Sequence, residues 1–521
     1  YAIDNGLKEA AANITRQLLC ETDAMDIVNE RLIPALDKTG TLFEQGKIFL
    51  PQLILSAGVA QSCFDVIKES LSKSGDTPVS KGKIVIATVK GDVHDIGKNI
   101  VGTVLKSSGF EVEDLGIQVP AERIVESAKT SQAVCMSGLI TPSLTQMIKV
   151  LQQLNEAGLS IPVVVGGAAT SKLHTALKMA PVYNGPVAKA TTAIDTVNLV
   201  NKLTDHQACI NLYEEQEAIR RQRTENIALT DYSSLNIEIP NHEPYKPKSE
   251  GIFTLNPSIE EVLPFIDWNY FFFSLQFYGK YPEILDDNAE AKQVFEHANE
   301  VLRNIIENKH LKIEARFGVV KAENLGDDVI RLSDGSKTVE LPMLRRQTLM
   351  QESMSLADTV SRDDYLGVFA LSAGIGLSKL MSEAATPYDA LIIKLLADRL
   401  TEATGEYLHH KVRSEYWGFD KSPFSLNEKQ YQGRRMCFGY PACPDHSLKK
   451  RAFDFLEVEQ NTSMRLTDSY MITPEESLCG LITCRGEYFS VGRIDDAQLA
   501  HYSRCVGLSV ERLRELLPNN I

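Results

Sequence analysis

The chain has 521 residues, 43% hydrophobic and 24% charged, with a net charge of -15 and a pI near 5.3. That length suits about two to four domains with cores of their own, and the acidic balance argues against a general nucleic-acid or anionic-membrane binder. No run of about 18 apolar residues reads as a membrane span, and nine cysteines at irregular spacings read as reduced thiols, which predicts a cytoplasmic protein.

The chain opens at Tyr1 inside a helical pattern, so it is expected to be a piece of something longer. Residues 1–73 hold three stretches with apolar residues three and four apart, "LKEAAANITRQLLCE", "DAMDIVNERLIPALDKTGTLFEQG" and "PQLILSAGVAQSCFDVIKESL", which predicts a helical bundle. A polar Gly/Pro/Ser stretch over 72–83 reads as a linker. From about 80 to 204 the pattern alternates: the strands "KIVIATV", "FEVEDLG", "AVCMSGLI" and "IPVVVGG" are separated by helical stretches. Such alternation predicts a doubly wound parallel sheet whose ligand lies at the carboxyl ends of the strands, so "GDVHDIG", "SGLITPS" and "GGAATS" share one rim. Residues 205–250 read as a charged helix followed by a Pro-rich linker, and 251–521 as a mixed α+β domain. Within it, 391–418 is a long helix, and "CGLITC" (479–484) and "EYFSVGRI" (487–494) are strands.

The turn "GDVHDIGKN" (91–99) follows the first strand. It fits neither the P-loop spacing, with five residues between its glycines and Asn99 after Lys98, nor a G-x-G-x-x-G fingerprint. His94 reads either as a hydrogen-bonded turn residue or as the single protein ligand of a metal that arrives with its other ligands in place, as cobalt does in a corrin ring. A carboxylate two residues away, Asp92, suits a ligating imidazole, whose second N–H such a group fixes.

Asp92, His94 and Gly97 in D-x-H-x-x-G order, with "SGLITPS" (137–143) and "VVVGGAATS" (163–171), resemble the motif set of cobalamin-binding domains. Together with the helical bundle ahead of them they are similar to cobalamin-dependent methionine synthases. That resemblance implies a helical cap, a flavodoxin-like cobalamin domain and a mixed reactivation domain. It also implies methylcobalamin as the cofactor, with His94 as the lower axial cobalt ligand in a relay through Asp92 to Ser143. By the same resemblance the loop Gly91, Asp92, Val93, His94, Asp95 and Gly97 holds the corrinoid, and Ser137, Thr141, Gly166, Gly167 and Ala193 line its tail and ring edge. Phe43 and Leu50 of the bundle would cover the methyl face.

In the last domain, "PFIDWNYFFFSLQFYGKYPEIL" (264–285) and "GYPACPDHS" (439–447) are similar to the reactivation domain of that family. The resemblance assigns S-adenosylmethionine to it: Asp267 on the amino group, Arg435 on the carboxylate, Tyr440, Tyr488 and Phe489 at the adenosine end, and Glu402 beside the ligand. The chain departs from the family's R-P-A-P-G-Y, reading Arg435-Met-Cys-Phe-Gly-Tyr440, and has Lys429 where an acid is expected. Cys437, Cys443 and His446 fit no common zinc spacing, so zinc is not expected in this chain. The implied partners are homocysteine and methyltetrahydrofolate barrel modules, absent from these residues, and a flavodoxin-like electron donor. The rival expectations are a stand-alone corrinoid methyl carrier and an adenosylcobalamin mutase subunit, which shares D-x-H-x-x-G.

Overall fold

The structure is a computed structural model that describes residues 2–3, 6–22, 24–44, 48, 50–74, 81–203, 205–222, 229–275, 277–349, 351–424, 431–518 and 520–521. The chain forms two compact units: residues 1–225 with 272–279 and 384–391, and residues 226–271, 280–383 and 392–521.

The first unit begins with helices α1 (Lys8–Leu18), α2 (Ile33–Glu44) and α3 (Leu50–Ser74), with a π-helical turn at Val28–Leu32 ahead of α2. Their shared core includes Ala24 and Ile27, three apart, and Val59, Cys63 and Ile67, four apart, the spacing seen in the sequence. Then come β1 (Lys83–Thr88), α4 (Ile96–Ser107), β2 (Glu111–Asp114), α5 (Ala121–Ala128), β3 (Ala133–Ser137), α6 (Thr141–Glu156), β4 (Val163–Gly166), β5 (Val187–Lys189), α7 (Ala193–Lys202) and α8 (His206–Gln222). The five strands are all parallel, in the order β2-β1-β3-β4-β5. That is the flavodoxin-like order, with its switch point between β1 and β3. β1, β3 and β4 are buried along nearly their whole length, as expected of strands covered on both faces. Edge strand β5, three residues long, has no counterpart among the sequence expectations. Gln216 of α8 donates to its Val187 carbonyl at 2.7 Å.

The second unit is built on a seven-stranded sheet. Its strands are β6 (Gly251–Leu255), β7 (Lys312–Asn324), β8 (Val329–Ser333), β9 (Thr338–Pro342), β10 (Asp364–Ile375), β11 (Arg434–Cys437) and, after the ribbon β12 (Arg465–Leu466) and β13 (Ile472–Thr473), β14 (Ser477–Thr483). Their order is β11-β14-β10-β7-β8-β9, with β6 on β7, and every pairing is antiparallel. Helix α9 (Ala289–Glu307) precedes β7, α10 (Pro387–Lys411) follows β10, and α11 (Leu448–Leu456) follows β11. "CGLITC" falls on β14, whereas "EYFSVGRI" is no strand: 487–494 is irregular, and Val491 N donates to the Pro441 carbonyl rather than to a ladder. Among the described residues no helix is long and apolar enough to cross a membrane.

Candidate functional sites

The first site lies at the carboxyl end of the parallel sheet. β1 ends at Thr88, and Gly91, at φ +83°, turns the chain so that Asp92 and Val93 are buried while His94 is partly exposed. Asp95 then precedes α4, its carbonyl accepting from Asn99 N, and Gly97 sits in the first turn with nothing near the place a Cβ would take. Asp92 gathers the site. Its Oδ1 lies 2.6 Å from His94 Nδ1 and accepts from His94 N at 3.1 Å; its Oδ2 accepts from Ser143 Oγ at 2.6 Å, Leu139 N at 2.7 Å and Ile140 N at 3.3 Å. Burial alone would raise this carboxyl, but the bonds from His94 and Ser143 hold it below its ordinary pKa. A charged acceptor at Oδ1 puts the proton of a neutral His94 on Nδ1 and the lone pair on Nε2. Thr88, absent from the sequence expectations, donates from Oγ1 to the His94 carbonyl at 3.1 Å.

Next to this turn a pocket of about 370 Å³ is walled by α4, the ends of β3 and β4 and the start of α7. Of the residues singled out in the sequence, Gly97, Ser137, Gly166, Gly167 and Ala193 line this pocket; Thr141 does not, and instead begins α6. At Gly166 nothing lies within 4 Å of a Cβ position, so backbone forms the wall, and at Gly167 (φ +101°) a Cβ would stand 2.1 Å from the Gly138 carbonyl oxygen. Lys98, Lys189, Thr191, Thr192 and Thr196 also line the pocket and were not expected. The two threonines before Ala193 could be seen in sequence only as a helix start, which Thr192 does cap by accepting from Asp195 N. Phe43 and Leu50 fall in α2 and α3, but their side chains lie outside the described residues.

The second site lies on β11 and α10. Arg435 NH2 is 3.2 Å from Glu402 Oε2 and 3.3 Å from Glu406 Oε1, and NH1 donates to Cys437 Sγ at 3.7 Å. Its Nε is buried with no hydrogen-bond partner among the described residues. Met436 and Phe438, which replace the family's prolines, are 1% and 2% exposed; β11 is thus fixed by burial in the core instead of by ring-stiffened backbone. After β11 the chain reverses tightly: Gly439 N donates to the Cys443 carbonyl at 2.8 Å, φ is +94°, and a Cβ there would meet the His446 ring at 2.2 Å. This turn presents Tyr440, which is 45% exposed, and Tyr488 nearby is 51% exposed. Phe489 is buried in the core with Arg346 over its ring, so of the expected pair only Tyr488 faces solvent. Asp267 Oδ1 accepts from Asn269 N at 3.0 Å and Nδ2 at 2.9 Å. Its turn runs beside α10: Phe265 packs edge-on against Tyr407, and Arg399 lies over Tyr270. Lys429 lies outside the described residues.

Comparison with known proteins gives three family matches. A family described as "Vitamin B12 dependent methionine synthase, activation domain" matches residues 258–507, and two described as "B12 binding domain" match 82–193 and 1–68. A crystal structure of the MetH reactivation domain bound to AdoHcy is 33% identical, with 54% of this chain and 93% of that one covered and a TM-score of 0.51. A cobalamin-binding protein from Desulfitobacterium hafniense DCB-2 is 30% identical, covering 39% and 95%, at a TM-score of 0.31. The methanol:cobalamin methyltransferase complex MtaBC from Methanosarcina barkeri is 28% identical, covering 41% and 81%, at 0.35.

Proposed function

We propose, because the chain belongs to the vitamin B12-dependent methionine synthase family, that it carries cobalamin on His94 and restores the cofactor's methyl group from S-adenosylmethionine. The observation that carries the first half is the bracketing of Asp92 between His94 Nδ1 and Ser143 Oγ, each at 2.6 Å, on the rim of the parallel sheet. The residues fit the cofactor. A pocket of about 370 Å³ opens beside the His94 turn, and bare backbone at Gly166 lets an elongated tail pass close to the chain.

When bound, cobalamin supplies a cobalt centre that accepts and donates a methyl group, with imidazole as one of its ligands. Asp92 fixes the His94 tautomer and offers Nε2 as the donor atom. Ser143 and the amides of Leu139 and Ile140 keep Asp92 charged, so a proton taken up at His94 is stabilised on the spot without rearrangement of the turn. Gly91, Val93, Asp95 and Gly97 shape that turn, and Ser137, Gly166, Gly167 and Ala193, which line the pocket, are assigned to the tail and ring edge. Phe43 and Leu50 are assigned to exclude water from the methyl face.

For S-adenosylmethionine we assign Asp267 to the ammonium, Arg435 to the carboxylate, Tyr440 and Tyr488 to the adenosine, and Glu402 to the ligand's flank, while Phe489, buried in the core, is left out of the contact. A buried Arg435 Nε–H for which the protein provides no acceptor among the described residues supports the carboxylate assignment. In the wider reaction methyl groups pass from methyltetrahydrofolate to homocysteine, so the modules that bind those substrates and a flavodoxin-like electron donor are the partners, in the cytoplasm. The replaced prolines between Arg435 and Tyr440 favour one second reading, a corrinoid carrier that no longer uses S-adenosylmethionine.

One experiment separates the two. The chain is mixed with cob(II)alamin, a low-potential reductant and methyl-labelled S-adenosylmethionine, and label is sought in the protein-bound cofactor. Label there supports both halves. Bound cobalamin without label leaves the carrier, and no bound cobalamin refutes both.

A further inference from the structure

On α10, Glu402, Gly405, Glu406 and His409 follow the i, i+3, i+4, i+7 spacing of one helical face. Arg435 reaches across to that face and binds both acids. Between the acids its guanidinium rests on Gly405: a Cβ at 405 would stand 2.7 Å from Arg435 Cζ, 2.7 Å from NH1 and 3.2 Å from Nε. Real Cβ contacts essentially never fall as short as the first two, and the atoms met are not the loose end of a side chain, because Glu402, Glu406 and Cys437 hold the head in place. Glycine inside a helix is unfavourable relative to alanine. Position 405 has ordinary helical backbone in the middle of a 25-residue helix, so glycine provides space there, not conformational freedom.

We propose that Gly405 is a specificity-determining position. Its missing side chain sets where the Arg435 guanidinium lies, and so how sharply the site prefers S-adenosyl ligands that carry an α-carboxylate. The inference rests on the assignment of Arg435 to the carboxylate of S-adenosylmethionine. A methyl group at 405 lifts the guanidinium off the helix and away from its two acids, which misplaces the donors of a bidentate pairing.

The test is calorimetric titration of the whole chain with S-adenosylmethionine and with its decarboxylated analogue. The wild-type chain is expected to prefer the carboxylate by about tenfold or more, as for a hydrogen bond to a charged group. In Gly405→Ala that preference falls by about fivefold or more, while affinity for the analogue stays within about twofold. In an Arg435→Lys background, where no guanidinium occupies the space, Gly405→Ala has no further effect on the preference. Equal losses for both ligands, or losses that add in the double variant, overturn the proposal. If Gly405→Ala fails to fold, recovery of folding in the double variant supports it, and failure of both to fold overturns it. A wild-type chain that binds the two ligands alike refutes the Arg435 assignment itself, so the two failures are read from different proteins.

Discussion

His409 predicts acid sensitivity for the second unit. The residue is 2% exposed on α10, edge-on to Tyr431 with ring centres 5.2 Å apart, and its Nε2 has no hydrogen-bond partner among the described residues. Burial, helped by Arg435, Arg413 and Arg434 and opposed by Glu406, pushes its pKa from 6.5 down to about 3. Above pH 6.5 the imidazole is neutral in both folded and unfolded chains and has no effect on the balance. Below that, the unfolded chain takes up a proton that the folded one refuses, and stability falls by about 1.4 kcal/mol per pH unit. The loss ends near pH 3, where the folded form protonates too, for a total of about 5 kcal/mol; by about pH 4.5 it has reached about 3 kcal/mol. Both tryptophans of the chain, Trp268 and Trp417, belong to the second unit, so tryptophan fluorescence during urea unfolding reports on that unit. His409→Gln cannot titrate. Whatever it costs at about pH 7, its stability should gain about 3 kcal/mol on the wild type by about pH 4.5. Parallel stability curves for the two proteins across that range would refute the reasoning.

Three further outcomes are expected. Asp92→Asn removes the charge that His94 leans on and should weaken cobalamin retention by about 10–100-fold, measured as cofactor absorbance surviving gel filtration. Gly167→Ala needs a non-glycine residue at φ +101° and a Cβ 2.1 Å from the Gly138 carbonyl oxygen; it should cost the first unit about 1–3 kcal/mol or more, read by circular-dichroism melting. Arg345→Met strands Asp328, which is 2% exposed and held by Arg345 Nε at 3.0 Å, and should destabilise the second unit by about 3–5 kcal/mol in the same urea assay.

How much of the fold and of the sites was legible in sequence varied with the physical signal. β1, β3 and β4 announce themselves because strands covered on both faces must be apolar throughout. β5 did not, since three residues between Pro186 and Ala190 leave no period to detect. The 487–494 stretch shows why alternation misleads: Phe489 and Val491 are buried and Tyr488 is exposed, but alternation reports burial and says nothing about a ladder partner. The strand-end rule was enough to put the segments of Asp92 and Ser143 on one rim, while their hydrogen bond across 51 residues was expected only from the family resemblance. It could not reveal Lys98 in the pocket wall, which pairs with Asp114 of β2, because that contact depends on where the edge strand stops. Gly405 gave no warning either; a lone glycine in a helical pattern is a weak mark, and its partner, Arg435, is far along the chain.

The strand order of the second unit has a consequence for synthesis. β10 occupies the middle of its sheet between β7 and β14, yet β14 is the last strand in the chain. As the polypeptide leaves the ribosome, β10 can zip onto β7 at once. Its other edge, a run that ends up almost wholly buried, then waits for roughly 100 more residues, about 5–20 s at ordinary elongation rates. During that interval the nascent protein displays an apolar template open to any passing strand. Crowding of polysomes and chaperone supply during that interval should therefore affect how much of this protein folds intact.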